Sequence, residues 1–376
     1  MILPGNTLGM LGGGQLGRMF TIAARNMGYD VIVLEPDKNS PAGMLANEHI
    51  CAEYDDRAAL EILNKRCAAI TTEFENIPAA VLEQLADHSP VRPDAKAVTI
   101  TQDRIHEKTF LNENGFPTGP FAIIRSDADL DQDLSHIQFP AILKVSRFGY
   151  DGKGQYAVND ASELQHGWQV LGSTECVLEQ RMPLDMEISI VLGRNADGET
   201  RLFPIAENIH KHGILDVSIV PARIDEAMHN KATEMANKIA TALDYIGVMA
   251  VEFFISNGEL LVNEIAPRPH NSGHYTLDAT VTSQFEQQVR ALCGLPLGDT
   301  RLLSPVVMVN MLGGLWHDGK PPLWDKLLAR DSVKLHLYGK QEARPGRKMG
   351  HYNVLAPNLE DALQLAREIQ AQMNHE

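Results

Sequence analysis

The sequence is short of several things, and each shortage removes a class of function. Its four cysteines, Cys51, Cys67, Cys176 and Cys293, are scattered over 376 residues. None has the close paired spacing of a zinc or iron–sulfur site, so buried free thiols in a cytoplasmic protein are expected. No apolar run approaches the roughly 20 residues of a membrane-spanning helix. The start Met1-Ile2-Leu3-Pro4-Gly5 has no basic leader, so no signal peptide is expected either. Basic residues are scarce: 33 Lys plus Arg against 49 Asp plus Glu give a net charge of −16. That balance argues against nucleic acid or an anionic membrane as partner, though not against small anionic ligands in a locally basic site. Internal repeats, low-complexity tracts, a Walker-type Gly-Lys-Ser/Thr and a biotin-acceptor Met-Lys-Met are all missing.

What is present is a chain too long for one ordinary core, with 44% hydrophobic and 22% charged residues. Its first hundred residues alternate strand-like and helix-like runs. Thr7 to Leu11 reads as a strand and Leu16 to Asn26 as a helix ending at Gly28. Val31 to Leu34 and Ala68 to Thr72 read as further strands. This βαβ pattern predicts a doubly wound open sheet, with a seam near Pro90–Pro93. The middle is richer in hairpins, with strands at 141–145, 176–180, 186–192, 248–255 and 259–265 and a helix over 226–243. Leu295 to Asp299 is a second seam. The tail holds strands near 305–311 and 332–338 and a helix from Leu359 to Met373.

Gly12, Gly14 and Gly17 fit G-x-G-x-x-G after a strand and before a helix, with Glu35 at the end of the next strand. Alone this is a dinucleotide fingerprint. No hydride-transfer site follows downstream, so a different phosphorylated ligand near the loop fits better.

Three features of the middle region belong together. Lys144 ends an apolar strand before a loop holding Gly149, Gly152, Lys153 and Gly154; such a loop folds over a triphosphate or is an ordinary mobile hairpin. Glu179 ends one strand and Glu187 lies on the next, suiting an adenine edge and ribose hydroxyls, or else two solvated acids. Glu252 and Glu264 flank a tight hairpin, and a hard cation such as magnesium takes carboxylate oxygens alongside phosphate oxygens. Both must then face one way. A two-residue turn at Asn257-Gly258 puts them on opposite faces. A three-residue loop, Ser256-Asn257-Gly258, pairs Ile255 with Glu259 and aligns them, so a bulged loop with Gly258 left-handed is predicted. The polar run Arg268 to His274 reads as a substrate platform.

These residues resemble the ATP-grasp superfamily over nearly the whole chain and, within it, the 5-(carboxyamino)imidazole ribonucleotide synthases, which carboxylate aminoimidazole ribonucleotide with bicarbonate and ATP. The runs that carry this are Gly13 to Arg18, Glu73-Phe74-Glu75, Gly149 to Gln155, Asn263 to His274, Tyr338-Gly339-Lys340 and Gly346 to His351. The resemblance implies an α/β and α+β multidomain chain. A Rossmann-like pre-ATP-grasp domain would span 1–107. An ATP-grasp domain of two subdomains with glycine loop 147–155 would span 108–295, and a small C-terminal domain 296–376. ATP contacts are implied from Arg104, Lys144, Gly149, Tyr150, Asp151, Gly152, Lys153, Gly154, Gln155, Glu179, Gln180, Arg181, Met182, Glu187, His210, Asn263 and Glu264. Two magnesium ions are implied on Glu252 and Glu264. Gln15, Leu16 and Glu73 would meet the sugar and amine of the ribonucleotide, beside Tyr150 and Asp151, and Lys340, Arg347 and Lys348 its phosphate. Read alone, Arg344, Arg347 and Lys348 are a solvated basic turn.

The implied chemistry is phosphoryl transfer to bicarbonate, giving carboxyphosphate, which or whose carbon dioxide the substrate amine captures. Arg268 would hold bicarbonate, with His270, Asn271 and Ser272 beside it. Lys153 would offset phosphoryl charge, and Asp151 is the candidate base or else closes the loop. Ala266 departs from the superfamily, where many members carry Asn. The rivals are a formate-dependent glycinamide ribonucleotide transformylase, a biotin carboxylase, a silent nucleotide-binding module and the dehydrogenase. A homodimer follows from the resemblance alone.

Overall fold

A computed structural model describes residues 1–149, 152–316 and 320–373. The short apolar segments of the first hundred residues form a parallel sheet. Its strands β1 (Thr7–Leu11), β2 (Asp30–Leu34), β3 (Glu48–Ile50), β4 (Ala69–Thr72) and β5 (Val91–Arg92) stand in the order β3-β2-β1-β4-β5. Every neighbouring pair is parallel, as the βαβ pattern predicts. Covered on both faces, the central strands β1 and β2 are mostly apolar and buried, while the edge strand β3 is polar and half-buried. Leu8, Met10, Val31 and Val33 pack on Phe20 and Ala24 of the helix Gln15–Asn26. Leu11, Ile32, Leu34 and Ile70 pack on Leu60, Leu63 and Leu82 across the other face. Phe285, Val289 and Leu292, from the helix Gln284–Leu292 much later in the chain, complete the first of these cores.

The middle of the chain builds two antiparallel sheets. β6 (Phe121–Ile124), β7 (Ala141–Val145), β8 (Gln155–Val158) and β9 (Cys176–Gln180) form one in the order β6-β9-β7-β8. The other has nine strands. β10 (Met186–Arg194), β12 (Ala206–Lys211), β13 (Ile214–Val220), β14 (Gly247–Ser256) and β15 (Glu259–Ala266) come from the middle region, with β11 (Thr200–Leu202) paired to β10. β16 (Val306–Leu312), β17 (Val333–Leu337) and β18 (Lys348–Leu355) come from the tail. The path is β15-β14-β10-β12-β13-β16-β18-β17. Val217 pairs with Val309, so the tail continues this sheet across the Leu295–Asp299 segment. The helix Leu359–Met373 covers it with Ala362, Ala366, Ile369 and Met373.

Cys67, Cys176 and Cys293 are buried free thiols, but Cys51 is exposed, contrary to expectation: it follows β3 at the sheet edge. No helix among the described residues is long and apolar enough to cross a membrane.

Candidate active site

The hairpin of β14 and β15 corrects the expected turn. Ser256 pairs with Glu259, so the loop is the two-residue Asn257-Gly258, with φ of +51° and +76°. Both central residues are left-handed, as a primed hairpin turn demands. Gly258 is therefore left-handed as predicted, but the three-residue loop is not formed. The parity is restored lower in the ladder, where Glu252 pairs with Glu264 and Phe253 with Val262. Asn263 is the extra residue, and this bulge turns Glu264 to the face of Glu252.

Like charges directly opposite in a ladder repel unless something compensates them. Here His270 Nε2 lies 3.1 Å from Glu252 Oε1, and Asn263 Nδ2 donates to Glu252 Oε2 at 3.3 Å. Arg104 Nη1 lies 3.2 Å from Glu264 Oε2. Burial would raise the Glu252 carboxyl, but the hydrogen bond and charge of His270, then the charge of His210 and the Asn263 amide, hold it well below the carboxylate range. Two one-sided carboxylates suit magnesium, which takes one or two protein carboxylates and fills its shell with phosphate and water oxygens. Among the described residues no group of three or more His, Cys, Asp or Glu could hold a metal by itself.

Beside this pair lies a buried charge cluster. Glu179, at the end of β9, receives Lys144 Nζ of β7 at 3.1 Å and Lys108 Nζ at 3.2 Å. Burial alone would raise its carboxyl, yet Lys108, Lys144 and Arg104 together hold it at about 2. The chain then runs through Gln180, whose side chain accepts from the Gln138 N–H, and Arg181, whose N–H donates to the Pro140 carbonyl, to Met182 packed by Gly119. On the nine-stranded sheet Glu187 Oε2 meets His210 Nδ1 at 3.0 Å. Burial would lower the His210 imidazole, but Glu187 more than offsets this and raises it.

The glycine loop bridges the two sheets. Lys144 pairs with Gln155 across the β7–β8 ladder. Gly152 and Gly154 have φ of +77° and +70°, and a Cβ on Gly152 would stand 3.4 Å from the His212 carbonyl oxygen in the β12–β13 turn. Gly149 and Lys153 lie in the same loop; Tyr150 and Asp151 lie outside the described residues.

Arg268 follows β15 and is held by Glu75, with Nε 2.7 Å and Nη2 3.4 Å from its two oxygens. Burial would lower the guanidinium, but Glu75, Glu264 and Glu252 raise it. The expected platform is narrower than the run 268–274. Asn271 is buried in a reciprocal amide pair with Asn310. Ser272 is buried between Ser189 Oγ at 2.6 Å and His270 Nδ1 at 2.8 Å. Their side chains thus hold the segment from inside, and Arg268 and His270 face the glutamates.

The dinucleotide-like loop is occupied by the protein's own acids. Glu73 accepts from the Gly14 N–H and, at 2.7 Å, from the Gly17 N–H. Glu35 accepts from the Gly13 N–H at 2.9 Å and from the Tyr54 hydroxyl at 2.6 Å. A Cβ on Gly12 would fall 2.4 Å from Glu73 Cγ. The glycines therefore make room for a carboxylate at the helix N-terminus, where a dinucleotide fold would seat pyrophosphate. Burial raises Glu73, opposed by the Gly17 and Gly14 amides. Gln15, next to half-buried Leu16, accepts from Lys340 Nζ at 2.7 Å, and the same ammonium reaches the Lys348 carbonyl at 2.8 Å. Residues 325 positions apart thus meet. Arg347 is half-buried and turned to the Glu342 carbonyl at 2.9 Å. Glu75 and Lys108 have a place here that their sequence gave no role; the only signal was Glu75's position in Glu73-Phe74-Glu75.

Family models match in three consecutive pieces: a ribonucleotide synthetase preATP-grasp domain over 5–102, an ATP-grasp domain over 109–285, and a phosphoribosylaminoimidazole carboxylase C-terminal domain over 306–365. The N5-carboxyaminoimidazole ribonucleotide synthase of Bacillus subtilis is 44% identical over 356 residues, which cover 94% of this chain and 93% of that protein. The solved ADP complex of an N5-carboxyaminoimidazole ribonucleotide synthetase superposes with a TM-score of 0.92 at 43% identity, covering 98% and 97% of the two chains. The Aspergillus clavatus N5-carboxyaminoimidazole synthase, solved with ADP and 5-aminoimidazole ribonucleotide, gives a TM-score of 0.90 at 30% identity, with 98% of each chain covered. The chain belongs to the N5-carboxyaminoimidazole ribonucleotide synthase family, on an ATP-grasp fold.

Proposed function

We infer that this protein carboxylates 5-aminoimidazole ribonucleotide with bicarbonate and ATP, forming the N5-carboxyamino product, ADP and phosphate in purine biosynthesis. The family membership supports the reaction, and ADP and ATP complexes among its relatives support ATP as the phosphoryl donor. The single observation that carries the site is the one-sided pair Glu252 and Glu264, flanked by Arg104, the Lys144–Glu179 pair and Arg268.

In this reading ATP lies between the four- and nine-stranded sheets. Lys144, Lys153 and the amides of Gly149 to Gln155 meet its phosphates, the Glu179 to Met182 stretch meets adenine, and Glu187 with His210 meets the ribose. Magnesium ions on Glu252 and Glu264, with Asn263 alongside, would neutralise charge on the transferring phosphoryl group. Arg268, aligned by Glu75, holds bicarbonate so that one of its oxygens attacks the γ-phosphorus and ADP leaves. The amine of the ribonucleotide then takes the carboxyl carbon from carboxyphosphate, directly or as carbon dioxide, and phosphate departs. Asp151 is assigned the amine proton. His270 supports the bicarbonate end. Gln15, Leu16 and Glu73 lie toward the sugar, and Lys340, Arg347 and Lys348 toward its phosphate, which charge-assisted donors suit.

We read the chain as domains 1–107, 108–295 and 296–376, a cytoplasmic protein and a homodimer; light scattering tests the last. ADP release with bicarbonate, formate or no acid, in the presence of aminoimidazole ribonucleotide, glycinamide ribonucleotide or neither, tests the reaction. Stimulation by bicarbonate and the ribonucleotide together is expected. Stimulation by formate with glycinamide ribonucleotide instead would assign the rival transformylase.

A further inference from the structure

β15 is the outer strand of its sheet, and no named strand among the described residues pairs with its far edge, where the Val262 N–H is met by the Pro117 carbonyl at 2.7 Å. The bulge at Asn263 also displaces the groups around Glu264 from regular register. Two side chains of the helix Arg104–Glu113 meet the groups on either side of Glu264. Lys108 Nζ donates to the Asn263 carbonyl at 2.9 Å, and Glu107 Oε1 accepts from the Ile265 N–H at 2.5 Å. Arg104 reaches the Glu264 carboxylate itself. Positions 104, 107 and 108 share one helix face, so the three act from one side.

Glu107 and Lys108 are each only 2% exposed. A buried ammonium is costly unless paired and hydrogen-bonded. Lys108 meets both conditions through the Asn263 carbonyl and Glu179. It thus joins the bulge beside Glu264 to the end of β9. A bulge-free ladder continuing from the Ser256–Glu259 pair would bring Asn263 opposite Glu252 and turn Glu264 to the other face. Keeping Glu264 beside Glu252 therefore requires one extra residue in β15 between the turn and Glu264, and here that residue is Asn263.

We propose that Glu107 and Lys108 are positioning residues for the metal carboxylates: they pin the backbone on both sides of Glu264, fix the bulge at Asn263 and hold Glu264 on the face of Glu252. The inference rests on the reading of Glu252 and Glu264 as magnesium ligands.

The test is a calorimetric titration of Mg²⁺ into the protein–ADP complex, which needs no turnover. Lys108→Met and Glu107→Leu each weaken Mg²⁺ binding about tenfold, as loss of an outer support of a metal site does. Lys108→Arg and Glu107→Gln, which keep the donor and the acceptor, recover most of the affinity. Hydrogen exchange of the 259–266 segment speeds up in the first two variants only. If Tm falls in Lys108→Met and Glu107→Leu while their Mg²⁺ affinity stays at the wild-type value, the residues are merely structural and the inference is overturned. Glu107→Leu leaves the Lys108–Glu179 pair in place, so it decides alone if Lys108→Met does not fold. Glu264→Gln separates the two readings. Unchanged Mg²⁺ affinity there removes the metal assignment itself. Weakened affinity there, with none in the helix variants, removes only the positioning role.

Discussion

Glu252 stands directly opposite Glu264 across the β14–β15 ladder, although the turn that joins the strands has the wrong parity for it. The bulge at Asn263 supplies the missing residue. Bulges re-aim side chains next to active sites because one extra residue reverses the alternation of the strand. Here it converts two acids on opposite faces into a one-sided pair of hard oxygen donors, compensated by Arg104 and His270.

Glu264→Ala is expected to abolish bicarbonate-dependent ADP release, by at least about 100-fold, the scale of losing one electrostatic contact to a transition state. Steady-state assays at saturating magnesium measure this. Near-normal turnover would remove the metal role.

Glu75 aligns Arg268 through two contacts. Glu75→Gln removes the charge that fixes the guanidinium, so kcat/KM for bicarbonate should fall about tenfold, a cost of roughly 1.4 kcal/mol. KM for ATP should hardly move. A change confined to ATP would place Arg268 elsewhere in the reaction.

Two glycines with positive φ should respond differently to alanine. Gly258 has φ +76° and open space around a Cβ, so Gly258→Ala costs only the conformational strain, about 1 kcal/mol. At Gly12, with φ +104°, the new Cβ also collides with Glu73 and Phe74. Gly12→Ala should therefore lose roughly 3 kcal/mol or more, from strain plus overpacking. Urea unfolding compares the two; equal losses would show that Glu73 yields easily. Because Glu73 and Glu35 take the loop amides, NADH fluorescence should show no saturable binding.

His274 and His351 are fully buried, and burial is the main reason their imidazoles sit well below the usual value of 6.5. Around them stand Gln284, Tyr338 and His336, the last paired with Asp278 at 2.8 Å. Below pH 6.5 the unfolded chain protonates these histidines while the native state does not, so stability falls as pH drops through that value. Each contributes about 1.4 kcal/mol per pH unit there, or roughly 2–3 kcal/mol for both by pH 5.5. Urea midpoints at pH 7.5 and 5.5 should show the loss, and His351→Asn should remove about half of that histidine contribution. An unchanged pH dependence in the variant would contradict it.

The sequence by itself determined the elements and the chemistry on offer. Cys176–Gln180 and Leu359–Met373 are strand and helix within the limits that apolar periodicity assigns. Gly258 is left-handed because Asn-Gly between two strands leaves little else. These are local matters, decided by residues a few positions apart. The location of the bulge was not local. Lys108 and Asn263, which meet at it, are 155 positions apart, and only the packed fold brings that ammonium to that carbonyl. The loop Gly12 to Gly17 was legible as an anion-binding helix start, but not its anion, because Glu73 arrives from another strand of the sheet. The same holds for the glutamate pair: the sequence named the two acids, and the tertiary structure decided that they face each other.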